Sequence, residues 1–130
     1  MPQPIVHFEI IGDDPAKLRS YYSGLFGWTF DTDSPVAPAI SDEANYGFVS
    51  APTTADGRDI GIPAGVGGGE GFDAHTIVYV GVPNVEAALL AAESLGGTRV
   101  LGPQQNPSGK LVVGQFRDPA GNLVGLAGPH

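Results

Sequence analysis

The stretch "VHFEIIGDDPAKLRSYYSGLFGW" (residues 6–28) decides how the whole chain is read. With Ile5 in front, its first part alternates. Ile5, His7, Glu9 and Ile11 share one face of a strand over residues 5–11, and Val6, Phe8 and Ile10 share the other. One face is apolar, while the other carries an imidazole and a carboxylate. Further on, Asp14 can cap a helix and Pro15 suits its first position. Leu18, Tyr21, Tyr22, Leu25 and Phe26 then recur at i, i+3, i+4, i+7 and i+8. Gly27 is a natural stop. The stretch therefore reads as a strand feeding a helix over 15–26, whose stripe packs on Val6, Phe8 and Ile10.

Working outward, "WTFDTD" (28–33), "YGFVSAP" (46–52) and "RDIGIPA" (58–64) read as three further short strands. The pattern then recurs. "HTIVYVGV" (75–82) is a strand, Asn84 caps a second helix with the stripe Val85, Ala88, Leu89, Ala92 and Leu95, and Gly96-Gly97 ends it. "TRVLG", "LVVGQF" and "LVGLAG" follow as strands, the last two joined by the turn "RDPAGN". Superposing "LFGW" (25–28) on "LGGT" (95–98) sets an offset of 70, which puts Asp14 on Asn84 and Val6, Phe8 and Ile10 on Thr76, Val78 and Val80. The expected organisation is one domain over residues 1–130, built by internal duplication. Module one spans 5–64, a glycine-rich connection 65–73, and module two 74–128. The run "GVGGGEG" (65–71) lies between two strands and holds no lysine, so it reads as a flexible connection and not as a phosphate cradle.

Composition narrows the function. Hydrophobic residues make up 42% of the 130, enough for a buried core, and 20 glycines with 12 prolines favour short elements over long helices. A net charge of −8 with only six Lys and Arg argues against nucleic acid and against anionic membrane surfaces. The chain has no cysteine, so disulfides, thiolate metal sites and a cysteine nucleophile are excluded. No run approaches the length of a membrane span and no basic leader precedes an apolar one, so a cytoplasmic protein is expected. Nor does any serine sit in a nucleophile elbow.

The ordered set "VHFEIIGDDPAKLRSYYSGLFGW" and "FRDPAGNLVGL" resembles the glyoxalase/bleomycin-resistance/extradiol-dioxygenase proteins, the vicinal oxygen chelate superfamily. The resemblance covers nearly the whole chain and is specific to a fold, not to an activity. It implies an α+β architecture: two tandem βαβββ modules forming a curled mixed sheet around a cavity, helices outside, often paired as a homodimer.

The family's metal-dependent enzymes hold a divalent ion with one inward residue from the first and one from the last strand of each module. His7 sits where the first such ligand is expected. Its counterpart in module two is Ile77, the acid expected three residues after Asn122 is Gly125, and the position near Gly61 offers no side chain. The expected cofactor is therefore none. The alternative is a displaced site for zinc, nickel, manganese or iron, formed by His7, Asp59 and His75 with help from Glu9.

Each residue also has a plainer reading. His7 can be a hydrogen-bonded interior histidine, paired with Glu9 in a way that raises its pKa. His75 opens its strand and can be half exposed. Trp28, Tyr46, Phe48 and Tyr79 can be core, Arg117 can brace a turn, and His130 is terminal. The resemblance and the residues together leave three classes open. These are a metal-free small-molecule-binding protein of the sequestering kind, a lyase, isomerase or dioxygenase with a displaced metal, and a metal-free acid/base enzyme using His7 and Glu9 as catalytic residues. The expected ligand-binding set is His7, Glu9, Tyr46, Phe48, His75, Ile77 and Tyr79.

Overall fold

The structure is a computed structural model that describes residues 2–130. The chain divides into two compact units, His7–Thr76 and Ile77–His130, with the segment ending at Val6 belonging to the latter.

In the first unit, β1 (Ile5–Gly12) leads into α1 (Pro15–Phe26), and β2 (Gly47–Val49) and β3 (Ala64–Gly68) follow. From residue 8 onward β1 pairs parallel with β3, Phe8 facing Ala64 and Glu9 facing Gly65, and β2 pairs antiparallel with β3. Asp14 caps α1 by accepting the Lys17 N–H at 3.2 Å, and Gly27 ends it in the left-handed conformation at φ 71°. The core includes Ile11, Val36, Ala37, Ile40, Tyr46, Ala64 and Val66.

The second unit runs β4 (His75–Gly81), α2 (Val85–Ser94), β5 (Thr98–Gln105), β6 (Val112–Arg117) and β7 (Leu123–Gly128). From Tyr79 on, β4 pairs parallel with β7, β6 pairs antiparallel with β7, and β5 pairs antiparallel with β6. Asn84 caps α2 through the Ala87 N–H at 2.8 Å. Val85 and Leu89 are wholly buried against Leu126, with Val80, Val112 and Phe116 around them. The duplication expected from the offset is therefore carried by the pairing itself. In each unit the opening strand lies parallel to the closing strand, and the strand before the closing one lies antiparallel to it.

Four expectations need correction. The glycine-rich run is not a flexible connection: residues 64–68 are β3, buried at all five positions. Residues 58–64 hold no strand of their own beyond an isolated bridge between Thr53 and Asp59, and Ile60 there is exposed. "WTFDTD" is likewise reduced to a bridge between Asp31 and Phe48, so the first unit has three strands. The stripe of α1 only partly reaches the sheet. Leu18 lies close over Gly12, but Tyr21, Leu25 and Phe26 are exposed. After the turn at Gly27 the chain places Trp28 among Phe8, Tyr22 and Phe26, with ring centroids 5.9, 5.5 and 5.2 Å away, so the helix meets β1 partly through that indole.

Candidate functional site

The alternation of β1 turns His7 and Glu9 to one side, and β3 runs beside it as a strip of glycine. Tyr46, just ahead of β2, lays its ring across that strip. A Cβ added at Gly65 would lie 1.8 Å from the Tyr46 hydroxyl, and one at Gly67 would lie 2.6 Å from the ring. Glycine is required there because the phenol occupies the volume of a side chain. The hydroxyl donates to Glu9 Oε1 at 2.8 Å and stands 2.9 Å from His7 Nε2. Its one proton is committed to the carboxylate, so the phenol oxygen accepts from an Nε2–H, which assigns the neutral His7 tautomer.

The three groups thus form a chain from imidazole to phenol to carboxylate. Tyr46 and Glu9 are almost completely buried, at 1% and 2% exposure. Burial pushes the His7 imidazole down from 6.5 to about 4. This reverses the expected rise. The cause is that Glu9 reaches His7 through a neutral phenol, and the loss of water around the ring outweighs the carboxylate. Phe48 packs beside both, its ring 4.6 Å from Tyr46 and 6.2 Å from His7.

The second unit carries a related arrangement. Tyr79 faces Gly125 across the β4–β7 ladder, and a Cβ added at Gly125 would lie 2.4 Å from the Tyr79 ring. Gln115, opposite Gly125 on β6, donates its Nε2–H to the Tyr79 hydroxyl at 3.0 Å. Ile77, Tyr79 and Gln115 are all buried. Gln115 was not among the expected site residues. Its one signal in the sequence is an amide in the otherwise apolar "LVVGQF".

The remaining candidates lie apart from these groups. The His75 Nδ1–H donates to the Asp73 carbonyl at 2.8 Å, and Asp59 is exposed on the loop after β2. His7, Asp59 and His75 do not converge, and among the described residues no three histidine, aspartate or glutamate side chains are grouped so as to hold a metal ion. Arg117 braces its turn through the Gly121 carbonyl at 2.9 Å, and the His130 carbonyl accepts the first N–H of α2 from Val85 at 2.7 Å.

Comparison with known proteins follows this geometry. The model of the Glyoxalase/Bleomycin resistance protein/Dioxygenase superfamily matches residues 4–126, and the chain belongs to that superfamily. A search of curated proteins returned no match. Among solved structures, a Streptomyces coelicolor methylmalonyl-CoA epimerase variant in complex with 2-nitronate-propionyl-CoA superposes with TM-score 0.68 at 15% identity, covering 98% of this chain and 95% of that one. Methylmalonyl-CoA epimerase in complex with methylmalonyl-CoA and NH4+ gives 0.67, again at 15% identity and with 98% and 95% covered. A hypothetical protein of Bacillus halodurans gives 0.65 at 12% identity, with 100% and 96% covered. At such identities the likeness is one of fold.

The metal that some members of this superfamily hold can be tested against the residues present. At the corresponding positions this chain has His7, with Nε2 already in a hydrogen bond, then Ile77, and then Gly125 under a tyrosine ring. One imidazole, an aliphatic side chain and a missing side chain do not fit a divalent ion.

Proposed function

We propose that this protein is a metal-independent small-molecule-binding member of its superfamily, with His7, Tyr46 and Glu9 as the polar element of the site and Phe48 as its aromatic neighbour. The observation that carries the reading is the use made of His7. The imidazole best placed to ligate a metal is instead tied to a buried phenol and carboxylate, an arrangement suited to orienting a ligand. The formal charge of −8 disfavours strongly anionic ligands such as the coenzyme A esters named for the epimerases. We also propose a homodimer, supported by the small size of each unit and by the exposed Tyr21 and Leu25 on α1. Sedimentation at micromolar concentration tests it, and a 13.3 kDa species there argues against it.

One observation favours a second reading, proton transfer. A neutral imidazole at the head of a chain ending on a carboxylate can exchange a proton, with Tyr46 and Glu9 fixing its tautomer. The experiment for both is a small-molecule screen read by the His7 ring resonances. Binding predicts saturable shifts that His7→Gln and Tyr46→Phe weaken without unfolding the protein. Proton transfer predicts, in addition, solvent deuterium exchange into the bound compound that His7→Gln abolishes. A screen without His7 shifts, together with a merely destabilised His7→Gln, assigns the chain a structural role.

A further inference from the structure

The first unit holds a cleft of about 520 Å³ that the His7–Tyr46–Glu9 chain does not line. Its walls include Phe26, Trp28, Phe30 and Phe48, with Asp31 and Ser50 among the polar residues. Here we propose a binding site for an organic cation, an aromatic amine or quaternary ammonium compound, seated against the aromatic walls with its charge toward Asp31.

Three features support this. First, the aromatic wall is preorganised. Trp28 is held by Phe8, Tyr22 and Phe26, and Phe48 by Tyr46, so little side-chain freedom is left to lose on binding. The face of an aromatic ring attracts cations, most strongly for tryptophan. Second, the carboxylate is built in. The backbone of Asp31 is tied to Phe48 in both directions, at 2.9 and 2.8 Å, which fixes the residue beside an aromatic wall. Its oxygens accept the Asp33 N–H at 2.8 Å and the Ser34 hydroxyl at 2.7 Å. These bonds, the Ser34 hydroxyl first, hold its pKa below the usual carboxylate range, so it is charged at neutral pH. Third, no basic side chain lines the cleft. The neighbouring cation, Arg19, passes over Gly47 beside Phe30 and commits its guanidinium to the Asn45 carbonyl at 2.6 Å. Aromatic walls with an anionic rim, on an acidic chain, complement a cation and reject an anion.

Trp28 is the sole tryptophan and lines this cleft, so its fluorescence reports binding there. The probe is benzyltrimethylammonium, titrated beside neutral benzyl alcohol and anionic benzenesulfonate. The expected result is saturable quenching by the cation at an affinity about tenfold above either comparator, weakening as salt is raised. Asp31→Asn keeps an acceptor for the Asp33 N–H and lies on an exposed residue, so the fold should persist while cation affinity falls about fivefold. Phe48→Leu should weaken cation binding by a similar factor. Equal affinity for cation and alcohol, no saturable quenching by the cation, or an Asp31→Asn variant that binds as well as wild type overturns the proposal.

Discussion

Glu9 and Tyr79 occupy the same place in the two halves of a duplicated chain. The offset of 70 places one on the other, and each faces a glycine of its closing strand, Gly65 and Gly125. Both glycines lie under a tyrosine, but the tyrosine arrives differently. In the second unit it is Tyr79 itself, with Gln115 as a neutral partner. In the first unit that place is taken by a carboxylate, so the ring over the glycine comes from Tyr46, thirty-seven residues further along the chain. One unit has a neutral, largely structural pair. The other has a buried carboxyl group, a phenol and an imidazole in one chain. In this chain both closing strands put a glycine under an aromatic ring, while the partner of that ring differs between the units.

The sharpest way to break the comparison is to fill the platforms. Gly65→Ala puts a methyl group into the Tyr46 hydroxyl, and Gly125→Ala puts one into the Tyr79 ring edge. Overpacking costs about 1–3 kcal/mol and at times more. Gly65→Ala should be at or above about 3 kcal/mol, because the displaced hydroxyl also loses its bond to Glu9, and Gly125→Ala should cost less. Urea midpoints measure both. Adding Tyr46→Ala to Gly65→Ala should recover part of the loss, since the two share one clash. A Gly65→Ala variant within about 0.5 kcal/mol of wild type removes the platform argument.

Between pH 6.5 and about 4, acid should act on the first unit through His7. His7 is depressed to about 4 in the folded protein from an ordinary 6.5. Between those values the unfolded chain binds the extra proton, so stability rises with pH there and is lost as pH falls from 6.5 toward 4. The full span corresponds to about 3 kcal/mol. Wild type minus His7→Gln, followed by urea unfolding across that window, should show this slope. A flat difference means the imidazole is not buried neutral.

Removing the two hydroxyls refines the contrast. Tyr46→Phe takes a donor from a buried carboxylate and should cost about 2–3 kcal/mol, whereas Tyr79→Phe breaks the neutral bond from Gln115 and should cost about 1 kcal/mol. Equal costs in thermal or urea unfolding would falsify the assignment of charge to the first unit only.

How much of this the sequence displayed follows the same divide. β1, both helix caps and the α2 stripe from Val85 to Ala92 were legible because each is written locally, in alternation, a capping side chain or an i, i+4 repeat; Leu95, the stripe's expected last member, lies past the helix and is exposed. β3 was not. Its residues, "AGVGG", have no alternation to read, since the side chain that should cover them is supplied by Tyr46. The His7–Glu9 pair was visible as two residues on one strand face. The phenol that joins them lies 37 and 39 residues away, and no local pattern encodes that contact. The α1 stripe misled because period 3.6 marks a continuous apolar face without saying what covers it; much of that face at Tyr21, Leu25 and Phe26 stays open.

The smallest effect expected is that of metal, and it bears on the comparison most directly. A ligand that binds only the native state stabilises it by RT ln(1 + [L]/Kd), about 2.7 kcal/mol at a hundredfold excess over Kd. An ion held by the superfamily's positions needs donors from both halves, and here the halves offer His7, already donating to Tyr46, and Ile77 with Gly125. To recruit His7 through Nε2, an ion must displace the bond to Tyr46 and still finds no carboxylate at residue 125. Millimolar zinc, nickel, manganese or iron(II) should therefore leave the melting temperature of metal-free protein within about a degree, well inside the shift of several degrees that a site-bound ion produces. A rise of several degrees that His7→Ala abolishes would show that the imidazole gives up Tyr46 for a metal. The two units would then differ in which partner their tyrosines keep, and not in whether they serve chemistry.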